Sequence, residues 1–260
     1  MKSKKSDSSG KSTAFSDERD LLNGIFREIL PVIFHKLKNK LTPILGYTQI
    51  LKARAADDFS RERLDKIENS ASELSALLTN LKDYLKVEAP ALQPGNLNRI
   101  LKELEPAWQK TAAEQQVKFF LDLDAAIPEM QLHPGQMRLL LLNLTANAFS
   151  ALRTDPAPGK EIRLTTRRED DRVTLIVRDN GIGMSPEERD NIWTPFYAKF
   201  KNGTGMGLVI CEKVIANHGA ACQVSSQPGA YSEFVIAFPL PEKSAAKHGK
   251  SAATDSPDDK

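Results

Sequence analysis

Two runs of apolar residues whose spacing alternates between three and four constrain this chain more than any other feature. Leu30, Phe34, Leu37, Leu41, Ile44, Thr48 and Leu51 form the first; Leu64, Ile67, Ala71, Leu74, Leu78, Leu81 and Leu85 form the second. Such a rhythm keeps one stripe of a helix against a neighbour over several turns, as in a coiled coil. The connection at 53–60 is short and polar, so the pattern predicts an antiparallel helical hairpin. A lone hairpin buries only one side of each helix. Two copies closing into a four-helix bundle bury the rest, and a homodimer is therefore expected.

Residues 1–17 and 242–260 are rich in Lys, Ser and Gly with almost nothing to bury, and read as disordered tails. Between them, 89–96 holds two prolines and a glycine and reads as a hinge separating a hairpin unit at 18–88 from a second unit at 97–241. Strand patterns at 117–123, 161–166, 173–178, 223–226 and 233–238 alternate there with helical patterns at 97–115, 134–152 and 205–218. The expected architecture is thus multidomain: an α hairpin that dimerises as a four-helix bundle, then an α/β sandwich. A net charge of +2 makes no case for nucleic acid or a membrane surface as partner. Cys211 and Cys222 have neither metal-ligand spacing nor a disulfide framework, which suits a reducing compartment. The longest apolar runs fall far short of the roughly 20 residues that span a bilayer. No apolar stretch follows the basic N-terminus, so a cytoplasmic location is expected.

Three segments of the second unit carry candidate chemistry. Asn143 and Asn147 lie four apart on a predicted helix and so share a face. Asp179-Asn180-Gly181-Ile182-Gly183 follows a strand, and Gly203-Thr204-Gly205-Met206-Gly207-Leu208 opens a helix. Singly these read as a surface or capping amide pair, a turn and a loose glycine loop. In this order they supply what a nucleotide needs. A carboxylate such as Asp179 accepts a hydrogen bond from an adenine amino group. Gly181, Gly183, Gly203, Gly205 and Gly207 let backbone approach a ligand closely. The helix start after Gly203 offers free N–H groups and a positive dipole end to phosphates. An Asn carbonyl is a hard oxygen ligand for Mg²⁺.

Of the four histidines, His133 stands at a predicted helix start, His218 at a helix end and His248 in the tail. His35 instead follows the seam residue Phe34, and Asn39 and Thr42 share its helix face. Neutral imidazole is a good nucleophile near pH 7.

These motifs resemble those of the two-component sensor histidine kinases, a branch of the GHKL ATPases with the Bergerat fold. Asn143–Asn147 is similar to the N box, Asp179–Gly183 to the G1 box, Trp193-Thr194-Pro195-Phe196-Tyr197 to the F box, and Gly203–Leu208 to the G2 box. The stretch from Phe34 to Leu51 resembles the H box of the phosphoacceptor bundle. The resemblance implies ATP and Mg²⁺ as cofactors, with Asp179 reading adenine and Asn147 coordinating Mg²⁺. Asn143, Gly181, Gly183, Phe196, Lys199, Gly203, Thr204, Gly205, Met206, Gly207 and Leu208 then belong to the ATP site, and 198–202 to a mobile lid in which Lys199 or Lys201 contacts phosphates. Asn143 stands where ATPases of this group place a water-activating glutamate. An amide cannot be a base, which favours a kinase. His35 would accept the phosphoryl group and Asn39 would serve dephosphorylation of a response regulator, whose receiver domain is the implied partner. The input signal would come from a separate sensory protein or other source.

Two positions depart from the family pattern. Lys36 replaces the acidic residue that usually follows the histidine, and Lys40 a usual proline. Lys36, Lys38 and Lys40 are a solvated face or a docking surface for an acidic receiver pocket. The alternatives are a nucleotide-binding phosphotransfer or phosphatase-biased module with weak autokinase activity, and another GHKL ATPase or kinase.

Overall fold

The structure, a computed structural model, describes residues 9–153, 159–200 and 203–240, with side chains described from Leu30 onward, Pro31 excepted. Helices α1 (Ser9–Arg54) and α2 (Asp58–Lys86) form the expected antiparallel hairpin. Asp57 caps α2 by accepting the Ser60 N–H at 2.7 Å, so the polar connection works as a helix start. Gln49 and Lys52 bond Glu68 across the pair at 3.1 and 3.0 Å. The seam is split: Phe34, Leu41 and Thr48 are 5–8% exposed, whereas Leu37, Ile44 and Leu51 are 43–56% exposed. One set packs on the partner helix, and the other forms an uncovered apolar stripe.

Two expectations need correction. Part of the tail expected at 1–17 is helix, since α1 begins at Ser9; adding turns to an existing helix costs far less than nucleating one. The segment at 89–96 is not a free hinge. Val87, which caps α2, is buried in the core of the α/β unit. Strand β1 (Gln93–Gly95) pairs antiparallel with β3 (Met130–Leu132), and Asn96 caps helix α3 (Leu97–Glu114). Proline is compatible with such a two-stranded edge ribbon, and its presence misleads. The tail expected at 242–260 and His248 lie outside the described residues.

The second unit is an α/β sandwich. Its sheet has the order β2 (Lys118–Leu123), β4 (Glu161–Arg168), β5 (Arg172–Asp179), β7 (Tyr231–Pro239), β6 (Ala221–Gln227). Only the β2–β4 pair is parallel. Helices α3, α4 (Pro134–Arg153) and α6 (Gly207–Asn217) pack together against the sheet. Strand β7 alternates half-buried and buried residues along its length, the mark of a sheet with one covered face. A short helix α5 (Pro186–Asn191), unanticipated from periodicity, is held by a capping box between Ser185 and Glu188. No helix of the described residues is long and apolar enough to cross a membrane.

A buried polar knot fixes α3 to the sheet. Thr166 Oγ1 donates to Asn98 Oδ1 at 2.8 Å, and Asn98 Nδ2 donates to the Asp124 carbonyl at 2.8 Å. Thr166→Val keeps the shape but leaves the amide oxygen unpaired. It is expected to cost about 1–3 kcal/mol, read as a lower urea midpoint; an unchanged midpoint would show the knot to be energetically idle.

Candidate functional site

The candidate residues of the second unit converge where the C-terminal end of β5 meets α4 and the start of α6. Asp179 ends the central strand, opposite Ser232 of β7. It is 5% exposed, and its Oδ1 accepts the Gly181 N–H at 2.9 Å. Burial pushes its carboxyl up to about 7, only partly offset by that hydrogen bond and by Arg178. A cavity of about 370 Å³ opens beside it. Asn143 and Asn147 both line it, so the four-residue spacing on α4 does put both amides on the cavity face. The Asn143 amide donates to the Leu139 carbonyl at 2.8 Å, which fixes its side chain.

The glycines are where backbone crowding demands them. Gly183 has φ +58, and a Cβ there would overlap the Gln227 carbonyl. A Cβ on Gly181 would stand 2.8 Å from the Ala151 carbonyl carbon, and one on Gly205, at φ +66, would overlap the Phe196 backbone. Gly183, Gly203, Thr204, Gly205, Gly207 and Leu208 line the cavity, with α6 starting at Gly207 and presenting its N-terminus there. The helix expected from 205 thus begins two residues later, because Gly205 is left-handed.

Three candidates sit elsewhere than expected. Phe196 is 64% exposed with φ +66 and does not line the cavity; its N–H donates to the Gly205 carbonyl at 3.1 Å, so it braces the glycine loop through backbone. Gly181 and Met206 lie behind the wall, Met206 as a buried side chain. Lys199 lines the cavity, but its ammonium donates to the Gly183 carbonyl at 2.8 Å and pairs with Glu188 at 2.6 Å. Lys201 and Asn202 lie outside the described residues.

Sequence reasoning missed several wall residues. Ser232 and Phe234 come from β7, the strand beside Asp179, and strand alternation would have suggested them. Ala76 and Asn80 come from α2 of the hairpin, and Asn80 Nδ2 donates to Thr204 Oγ1 at 2.5 Å. No local signal announces those two, since they depend on how the units pack.

His35 is exposed on α1, and the Asn39 amide nitrogen lies 3.3 Å from its Nδ1. The Gln49 and Lys52 bonds to Glu68 and the Lys52–Asp65 ion pair set the hairpin register. Extended along antiparallel helices, that register puts position 35 level with positions 82–85. Asn80, at the cavity wall, is then roughly 3–8 Å away along the axis at 1.5 Å per residue.

Comparison with known proteins agrees with this layout. The family described as His Kinase A (phospho-acceptor) domain matches residues 27–90. The family described as Histidine kinase-, DNA gyrase B-, and HSP90-like ATPase matches 133–242. The chain belongs to the two-component sensor histidine kinases. Signal transduction histidine-protein kinase AtoS of Escherichia coli K12 is 26% identical over 213 residues, which is 82% of this chain and 34% of AtoS. Sensor histidine kinase ZraS of the same organism is 26% identical over 209 residues, 80% of this chain and 44% of ZraS. The chain therefore spans less than half the length of these relatives. In fold it is similar to full-length ShkA in complex with AMPPNP, with a TM-score of 0.62 and 24% identity over 82% of this chain and 46% of ShkA. It is also similar to histidine kinase ThkA in complex with response regulator protein TrrA, with a TM-score of 0.60 and 21% identity over 90% of this chain and 68% of that one.

The buried Asp179 gives this sensor kinase site a pH signature. A folded state that raises an acid's pKa favours the protonated form. Its cost is absent below the ordinary value of 3.8 and accumulates as pH rises towards about 7. Asp179→Asn is therefore expected to raise thermal stability at pH 8, by at most about 4 kcal/mol, with little change near pH 4. Equal stabilities of the two proteins at pH 8 would refute the burial cost.

Proposed function

We propose that this chain is an ATP-dependent protein histidine kinase that phosphorylates His35 and passes the phosphoryl group to an aspartate of a response regulator. The observation that carries the reading is that α2 of the phosphoacceptor hairpin completes the wall of the cavity through Ala76 and Asn80, at the axial level of His35. A pocket walled by α2 brings a transferable phosphoryl group near the hairpin whose other helix, α1, carries His35, which favours that acceptor over bulk water.

In this reading Asp179 accepts from the adenine amino group. The N-terminus of α6 and the glycine loop at 203–207 hold the phosphates by backbone N–H groups. Asn147 offers a carbonyl oxygen to Mg²⁺, and no group of three or more His, Cys, Asp or Glu among the described residues competes as a metal site. One amide plus phosphate oxygens and water suits that cation, which when bound neutralises phosphate charge. His35 attacks the γ-phosphorus in line; the N–P bond forms as the bond to the ADP oxygen breaks. Asn143, an amide, activates no water. The apolar stripe of Ile33, Leu37, Ile44, Leu51, Ile67 and Leu74 is what a second copy would cover, supporting a homodimer. Lys36, Lys38 and Lys40 flank His35 on the exposed helix and complement an acidic receiver pocket, and ThkA is described in complex with a response regulator. A separate protein would supply the signal.

A second reading, a phosphatase-biased module, is favoured by one observation. The residue after His35 is Lys36, and the Asn39 amide is what lies within hydrogen-bond distance of its ring, at 3.3 Å.

Incubation with γ-labelled ATP and Mg²⁺ tests the choice. Acid-labile, base-stable label on the parent, lost in His35→Gln and in Asn147→Asp, is expected. No label despite nucleotide binding would turn the account to the phosphatase reading. Lys36→Glu restores a carboxylate beside the imidazole and is expected to raise the initial labelling rate about tenfold or more; a slower variant would show that the lysine is itself needed.

A further inference from the structure

Among the described residues that line the cavity, Lys199 is the one basic side chain available to a nucleotide's phosphates. That cation is already engaged. Its ammonium donates to Glu188 Oε2 at 2.6 Å and to the Gly183 carbonyl at 2.8 Å, and the two paired side chains are 27% and 28% exposed. Glu188 itself does not line the cavity. It sits in the first turn of α5, where the same oxygen accepts the Ser185 N–H at 2.8 Å and the Glu188 N–H donates to Ser185 Oγ at 3.1 Å. Burial pushes its carboxyl up, but the Lys199 ammonium and the Ser185 N–H outweigh that and hold it below the ordinary value of 4.5. The capping box fixes the carboxylate outside the wall, while Lys199 reaches the wall from the other side. A phosphate in the cavity and the carboxylate behind it therefore seek the same cation.

We propose that Glu188 sets the nucleotide affinity of the site by competing with the phosphates for Lys199. This role rests on the nucleotide site of the kinase reading above and adds a residue that none of its sequence motifs contains. A phosphate that takes the ammonium must displace the carboxylate, so part of the new ion pair's energy goes to breaking the old one. Affinity for phosphate-bearing ligands is thereby lowered. ADP leaves faster as a result, because affinity differences within one site lie mostly in the dissociation rate. A ligand without phosphates, such as adenosine, does not enter the exchange and is insensitive to Glu188.

The test uses the full chain with Mg²⁺. Glu188→Gln removes the charge but keeps an oxygen for the Ser185 N–H, since glutamine also serves a capping box. It is expected to bind ADP about fivefold tighter, through slower release of a fluorescent ADP analogue in stopped flow, with adenosine affinity unchanged. Lys199→Met should weaken ADP binding, and adding Glu188→Gln to it should bring no gain. NMR titration of isotope-labelled glutamate carboxyls, with Glu188 assigned by its loss in Glu188→Gln, reads the ion pair itself. The Glu188 carboxyl should titrate below the ordinary range in the parent, and move up towards it both in Lys199→Met and on saturation with ADP. Unchanged or weaker ADP binding in Glu188→Gln, an equal gain in the absence of Lys199, or a carboxyl indifferent to ADP would overturn the competition. Exchange as expected with no label on His35 would refute the kinase reading alone, and a parent that binds no ADP would overturn both.

Discussion

A carboxylate buried at the end of the central strand is the constraint on which the site depends. Ionised Asp179 in an apolar cavity is unfavourable, and the Gly181 N–H offsets only part of the cost. The fold tolerates it because β5 lies between β4 and β7, and residues behind it pack against α4, so the strand end cannot retreat to solvent. The glycine segments follow from the same crowding. Gly181 passes the backbone of α4, and Gly183 passes the β6–β7 hairpin, each with no room for a Cβ. A buried carboxylate with a raised pKa beside a cavity is a candidate for contact with a ligand that favours its charged form.

The second constraint is the joint. The phosphoacceptor hairpin and the α/β unit share a wall, since Ala76 and Asn80 of α2 close the cavity and Val87 fills the α/β core. The contact between the units at the cavity is therefore direct: the Asn80 amide of α2 donates to Thr204 Oγ1 of the glycine loop. The apolar stripe left open on the hairpin is the face that a second copy would cover in the proposed dimer.

Much of this was legible in the residues themselves. The two seams predict the hairpin because heptad spacing is a local property of a helix, and Asn143 and Asn147 share the cavity for the same reason. The glycines announce close approach wherever they occur in succession. What depends on packing was hidden. Pro90, Pro94 and Gly95 read as a hinge, yet Pro94 and Gly95 form an edge ribbon with β3 and Val87 anchors the joint. Phe196 was assigned to the ligand by its motif, and the structure turns it outward and uses its backbone. Ala76 and Asn80, more than 60 residues from the nearest motif in the second unit, could be found only once α2 was seen against the glycine loop. Lys36, a departure visible in the sequence, remains beside His35 with no carboxylate bonded to that ring among the described residues.

The central claim is that Asp179 receives an adenine amino group, and calorimetric titration of the full chain with ADP and Mg²⁺ tests it most directly. A ligand that donates to the carboxylate favours its ionised form and lowers its pKa from about 7. Binding should therefore tighten as pH rises from 6 to 8 and release protons near pH 7, seen by repeating the titration in buffers of different ionisation enthalpy. Asp179→Asn should abolish both the proton release and the pH dependence. Binding of equal strength across that range, with no proton release, would contradict the assignment.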